Sequence, residues 1–387
     1  MDRRTFVFSA TLGTLNLGIA GLPWRQADAP RKSLKIDVRA PEMALSPLGM
    51  PGLFPGRVVE VVHAGAIVRR RVSQPAVRAM VDAGMTALTG ETAAKNAWGR
   101  LFTSADVVAI KVNPSGVPQT TTSIPLVREV VQGLNSVGVP NRHIIVYDRN
   151  SNQLEVNGYH ALLPAGIRVV GLDQRWAVGG ETRGGYDPAV FCEMDCFGEL
   201  ETRSYLAGIV STEATKIINL PCLKEHNASG VTGCLKNLAY GSFNNVARTH
   251  VDPKTYTDPV IAVMCSVAPL RSKAVLNIMD GIRAVYHSGP FAWNPEFVWE
   301  ARTLLFGTDP VAVDRIELEI VEQKRREVGA PSVWDRNPDH LGSSADMQRS
   351  FMKSPFYREP GHIKTASDLG LGRWELEHID RRLIRMA

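Results

Sequence analysis

The feature that most limits what this chain can become is a series of short apolar runs separated by amphipathic stretches. The runs are RVVEVVH (57–63), DVVAIKV (106–112), HIIVY (143–147), IRVVG (167–171), KIINL (216–220), KAVLNIM (273–279) and TLLF (303–306). Each is too short for a typical helix, and most lack the polar alternation of a half-exposed strand, which is the mark of a strand covered on both faces. Helical patterns lie between them, several opening on a cap followed by proline: Ser73-Gln74-Pro75, Asp258-Pro259 and Asp309-Pro310. Proline suits a first helical turn because its missing N–H has no intrahelical acceptor there. Further helical patterns cover 93–101 and 123–137. Strands alternating with helices predict an α/β fold: a largely parallel sheet with helices on both faces. Residues 56–335 hold this domain. The polar stretch 336–387, divided by Pro338, Pro355 and Pro360, reads as an irregular C-terminal cover with short helices.

Ahead of the domain, Arg3-Arg4 precede Thr5, Phe6 and Val7, an uncharged stretch over 7–22 and the small-x-small triplet Ala27-Asp28-Ala29. This start resembles a twin-arginine export signal, so residues 1–29 are expected to be a cleaved signal and the protein periplasmic, with the twin-arginine export machinery as a partner. An ordinary secretory signal and an uncleaved anchor are the alternatives. The stretch is short of the roughly 20 apolar residues that a membrane span needs, so no stable span is expected after cleavage. Residues 30–55 carry Pro30, Pro41, Pro47, Pro51 and Pro55 and read as a Pro-rich leader that wraps the domain or stays loose.

Bulk composition excludes more than it selects. With 44% hydrophobic and 21% charged residues the chain is an ordinary globule, and its net charge is only +5. The one basic run, Arg69-Arg70-Arg71, has no interleaved aromatics, so no nucleic-acid partner is expected. The five cysteines form no CxxC spacing, so no intrinsic iron–sulfur cluster is expected. Cys192 and Cys196, four apart, suggest one helix face, where they would pair or pack; Cys222, Cys234 and Cys265 read as packing residues.

Ligands of open α/β sheets bind beyond the carboxyl ends of the strands. Here those ends carry Lys111 and Asn113; Asp148, Arg149 and Asn150; Lys224, His226 and Asn227; Asp280; and Thr308 and Asp309. The richest window is 220–250, LPCLKEHNASGVTGCLKNLAYGSFNNVARTH. Lys224 and Lys236 flank a turn containing Gly230 and Gly233, where small residues let backbone N–H groups approach an anion. His226 and His250 bracket the same window and supply proton-transfer groups. The expected ligand is therefore a small anion. Lys224, Lys236, His226 and His250 are the expected catalytic residues; Lys111, Asn113, Asp148, Asn237, Gly230, Gly233 and Asp280 are the expected substrate-binding residues. An alternative use of His226, His250 and Asp280 is to ligate a divalent metal. No Walker, GxSxG or HExxH pattern occurs.

The segments VVAIKVN, NLPCLKEH with GVTGCLKNLAYG, the distal His250, NIMDGI and GTDPVAVD together resemble the domain-of-unknown-function family 362, in family order across residues 58–320. The resemblance implies a polar signature of Lys111, Lys224, His226, Lys236, Asn237, His250, Asp280, Asp309 and Asp314. Some family members carry appended ferredoxin modules; this sequence contains none. A more distant likeness is to the lactate racemase fold, whose nickel-pincer cofactor is not carried over. The expected function is an exported enzyme acting on a small anionic substrate. The alternative is a non-catalytic periplasmic metal- or cofactor-binding protein, an accessory of a redox system.

Overall fold

A computed structural model of the chain describes residues 2–8 (backbone only), 34–116, 119–173, 185–196, 201–250 and 253–387. Eight strands form the spine of the main sheet, in the order Asp380–Met386, Arg57–His63, Thr303–Gly307, Ala274–Val285, Lys216–Asn219, Val108–Lys111, Ile144–Asp148 and Arg168–Gly171. From Ala274–Val285 to Arg168–Gly171 every neighbour is parallel. Thr303–Gly307 runs antiparallel to both of its neighbours. The fold is thus α/β with a mostly parallel sheet of 11 strands, the short Cys222–His226, Gly230–Val231 and Val298–Trp299 strands branching off the spine.

The apolar runs are continuous because alternate residues serve two cores. Ile110, Val146, Ile218 and Ile278 face one core, which also holds side chains of the helices Gln74–Thr89 and Ile124–Ser136. Ala109, Ile145, Ile217 and Met279 face the other, with side chains of Gly233–Ala239, Thr257–Ser266 and Pro310–Glu327. With a strand period of two, one residue in each pair would be polar if either face met water.

The structure departs from the sequence reading in three places. The C-terminal cover does contain short helices, Ser344–Arg349 and His362–Asp368, but it ends in a strand, Asp380–Met386, parallel to Arg57–His63 at the edge of the main sheet. An edge strand has one neighbour and an open face, so DRRLIRM needs no apolar run; Arg381 instead pairs with Glu60. Leu34–Ala40, inside the expected leader, joins Asp2–Phe8, Tyr186–Met194 and Arg203–Ala207 in a separate four-stranded antiparallel sheet. Residues 9–33, which hold most of the expected export signal, lie outside the described residues. Cys192 lies in a strand and Cys196 just beyond it, not on a helix face, and all five cysteines are buried. Among the described residues, no helix is long and apolar enough to cross a membrane.

Helix Ile124–Ser136 meets Trp98 through Gly133, where an added Cβ would lie 2.1 Å from the indole ring. Gly133→Ala would gain up to about 1 kcal/mol of helix propensity but overpack the contact by about 1–3 kcal/mol. Overpacking should win, and the variant's denaturant midpoint should fall below that of the native chain.

Candidate functional site

A cleft of about 400 Å³ opens beyond the carboxyl ends of Val108–Lys111 and Ile144–Asp148. Lys111, Asn113, Asp148, His226, Lys236, Asn237 and His250 line it, together with Arg149, Tyr240, Phe291 and Phe356. Helix Gly233–Ala239 carries Lys236 and Asn237, and its position is set at its N-terminus. The Asp314 carboxylate, from helix Pro310–Glu327, accepts the backbone N–H groups of Cys234 and of Leu235, the latter at 2.9 Å. Gly233 (φ +62°) makes this approach possible, since a Cβ there would lie 2.5 Å from the Asp314 carboxyl carbon.

That contact corrects the expected role of the glycine turn. The N–H groups meant for a bound anion are occupied by Asp314. Gly230 (φ +77°) packs against Pro360, where a Cβ would lie 2.8 Å from the proline ring. Neither glycine lines the cleft. Asp280 is displaced as well, because its strand does not stop at Met279 but continues to Val285. Its carboxylate accepts the N–H of Ser123 at 2.8 Å and of Ile282 at 3.1 Å, anchoring the start of helix Ile124–Ser136 from the neighbouring strand. Asp280 therefore joins neither the substrate residues nor a metal set with His226 and His250. Among the described residues no group of three or more His, Cys, Asp or Glu is arranged to hold a metal ion.

The remaining polar residues form a connected array. Lys111 Nζ donates to the Asp148 carboxylate, to the Val112 carbonyl at 2.9 Å and to Asn237 Oδ1 at 3.4 Å. Asn113 also donates to Asn237 Oδ1, at 3.0 Å. Asn237 in turn donates to Asn219, and Asn219 to Asn277, so that four amides cross the sheet in sequence. Lys224 does not line the cleft; it sits beneath it and donates to Asn113 Oδ1 at 2.9 Å, Ser115 Oγ at 3.2 Å and the Pro290 carbonyl at 3.2 Å. Burial lowers the Lys224 pKa.

Lys236 is different from the other two lysines. It is 8% exposed, and its ammonium lies 4.5 Å from the centre of the Tyr240 ring. No hydrogen bond or carboxylate holds it among the described residues. Burial, with Lys224 and Lys111 nearby, pulls its pKa down to about 7. A charge left in that position is costly unless a ligand supplies the counter-ion.

The DUF362 domain, a domain of unknown function, has a sequence pattern that matches residues 108–319, more than half of the chain. The chain belongs to the DUF362 family. No curated protein matches it.

Within this DUF362 site the two histidines are 5.4 Å apart between ring centres, and their hydrogen-bond partners favour opposite tautomers. His226 Nδ1 accepts the Ala228 N–H at 3.1 Å, so the neutral ring carries its proton on Nε2. Burial and the neighbouring Lys236 keep His226 well below its ordinary pKa and therefore neutral. Around His250, the Thr249 hydroxyl is committed to the Val246 carbonyl at 2.7 Å, so Nδ1, 3.4 Å from that oxygen, is the donor. Hydrogen bonds to the carbonyls of Val246 and Ala247 also favour a protonated ring nitrogen, but burial dominates and lowers the His250 pKa to about 3. In this tautomer Nε2 carries the lone pair. One ring offers N–H and the other a lone pair.

Sequence reasoning missed Tyr240, although it sits in the quoted window, and Phe291 and Phe356, which come from distant loops. It also missed Gly241 (φ +101°), where a Cβ would lie 2.9 Å from Lys111 Cε and 3.1 Å from Asp148 Oδ1. The left-handed backbone was the only available signal, and a lone glycine does not reveal it. Asp314→Ala would leave two buried N–H groups unmet, a loss of about 2–4 kcal/mol. Its urea midpoint should fall accordingly, whereas Asp314→Asn, keeping one acceptor, should lose less.

Proposed function

We propose that the protein is an exported enzyme acting on a small anionic substrate in this cleft. The observation that carries the reading is Lys236, a buried cation with no counter-ion among the described residues, facing a cavity of substrate size. Arg149 adds a second positive group to the lining, while the charge of Lys111 is balanced by Asp148. An anion entering the cleft therefore completes the electrostatics instead of opposing them. His226 and His250 supply a donor and a base within one site, an arrangement suited to proton transfer to and from a bound substrate. A non-catalytic binder would need the charge but not the opposed tautomers. Export rests on Arg3-Arg4 ahead of the uncharged stretch. Replacing both with lysine should leave the precursor in the cytoplasm, as followed by cell fractionation; unchanged export would remove this part of the reading.

Anion binding has a pH signature. The groups facing Lys236 are Lys224, the Lys111–Asp148 pair, and His226, His250 and His362, whose own pKa values are lowered by burial. Lys236 is depressed below its unfolded value, so the folded protein bears the cost of charging it at low pH. That cost is relieved as pH rises from about 7 toward the ordinary lysine range. A bound anion favours the ammonium and reverses this. Malonate, whose charge is constant above neutrality, should raise the melting temperature by mass action most strongly near and below pH 7. Above pH 7 its affinity should weaken by up to about tenfold per pH unit. Lys236→Met should fold and show no malonate response. An identical response in the variant would refute the anion site.

A further inference from the structure

We propose that Lys236 is a nucleophile: its amine condenses with the carbonyl carbon of a small 2-oxo carboxylate bound in the cleft. The inference deepens the anion reading and rests on it.

Three features point to this chemistry. The amine is nine-tenths buried, lines the cavity and meets no acceptor among the described residues, so its lone pair is available to a substrate. It lies over the face of Tyr240 and next to two other lysines, Lys224 and Lys111. An apolar ring and neighbouring cations are the surroundings that keep a lysine in its neutral, nucleophilic form. Finally, the histidine pair provides what carbonyl addition requires. His226 Nε2–H is a donor for the carbonyl oxygen, and His250 Nε2 is an acceptor for a proton leaving nitrogen. The carboxylate of the same molecule has Arg149 on the cleft wall.

The step balances without a redox partner. The Lys236 nitrogen bonds to the carbonyl carbon while the C=O π pair moves to oxygen. The proton that leaves nitrogen ends on the alkoxide oxygen, giving a neutral carbinolamine; His250 Nε2 faces the donating nitrogen and His226 Nε2–H the accepting oxygen, so neither ring holds a net charge. The hydroxyl then leaves with the second nitrogen proton as water, and a C=N bond remains. A 2-oxo carboxylate joined in this way is activated for loss or exchange of groups on the carbons flanking the imine.

The test is reductive trapping. The purified full-length protein is incubated with pyruvate, and separately with glyoxylate, in the presence of cyanoborohydride; the site is then mapped by peptide mass spectrometry. The expected result is a reduced adduct on Lys236, suppressed by excess malonate and absent from Lys236→Arg. Labelling should favour Lys236 over an exposed lysine by up to about a thousandfold, because an exposed amine is neutral in less than about one part in a thousand at pH 7. Adducts spread over surface lysines, or located on Lys224 or Lys111, would overturn the proposal. If Lys236→Arg fails to fold, mapping in the native chain decides alone. Malonate stabilisation without a Lys236 adduct would remove this inference and leave the anion site standing; absence of both would remove both.

Discussion

The site depends on one carboxylate that no substrate meets. Asp314 receives the first N–H groups of helix Gly233–Ala239 and so fixes where that short helix begins. A seven-residue helix has little stability of its own and takes its orientation from its contacts. Once its start is pinned, Lys236 and Asn237 fall one turn later over the strand ends, and Tyr240 follows at its exit. Asp314 achieves this while buried, and burial raises its pKa to about 7. The unpaired Glu317 oxygen beside it lies in the same dry region, with Glu317 Oε1 accepting the Lys224 N–H at 2.9 Å. Two acidic side chains below the sheet's edge thus hold the backbone that presents the basic ones above it.

The cleft is a poor design for stability. Three lysines are withdrawn from water around a single carboxylate, and one of them has no partner among the described residues. Fully apolar packing would be more favourable than this arrangement. Elsewhere the chain treats buried charge differently: Glu225 and Arg358, both buried, are paired directly, with Gly289 N–H on the second carboxylate oxygen at 2.9 Å. One protein thus holds both a satisfied charge network and a cation that has no partner among the described residues, and the proposed anion site rests on that contrast.

How far this was legible can be judged residue by residue. The seven apolar runs were readable because two-sided burial demands continuous apolar sequence, and Lys111, Asp148, His226 and Lys236 followed from where those runs end. Asp280 was misplaced because a strand that continues as DGIRAV carries no local stop that distinguishes it from a loop. The strand Asp380–Met386 was invisible because an edge position tolerates arginine. Gly230 and Gly233 were assigned to a ligand when their need is for close approach to Pro360 and Asp314; sequence shows that a glycine is required but not what comes near it. Phe291 and Phe356 reach the cleft through long-range packing, for which local periodicity contains no information.

The chain of amides from Asn113 through Asn237 and Asn219 to Asn277 has a consequence for how the protein responds to its surroundings. Carboxamides neither gain nor lose protons in the range where proteins remain folded. A framework made from them keeps its shape while lysines and histidines on either side change charge. A change of charge on the lysines and histidines therefore leaves the hydrogen-bonding groups of these four residues unchanged. The molecule separates a rigid, pH-indifferent scaffold from a small number of titrating groups mounted on it.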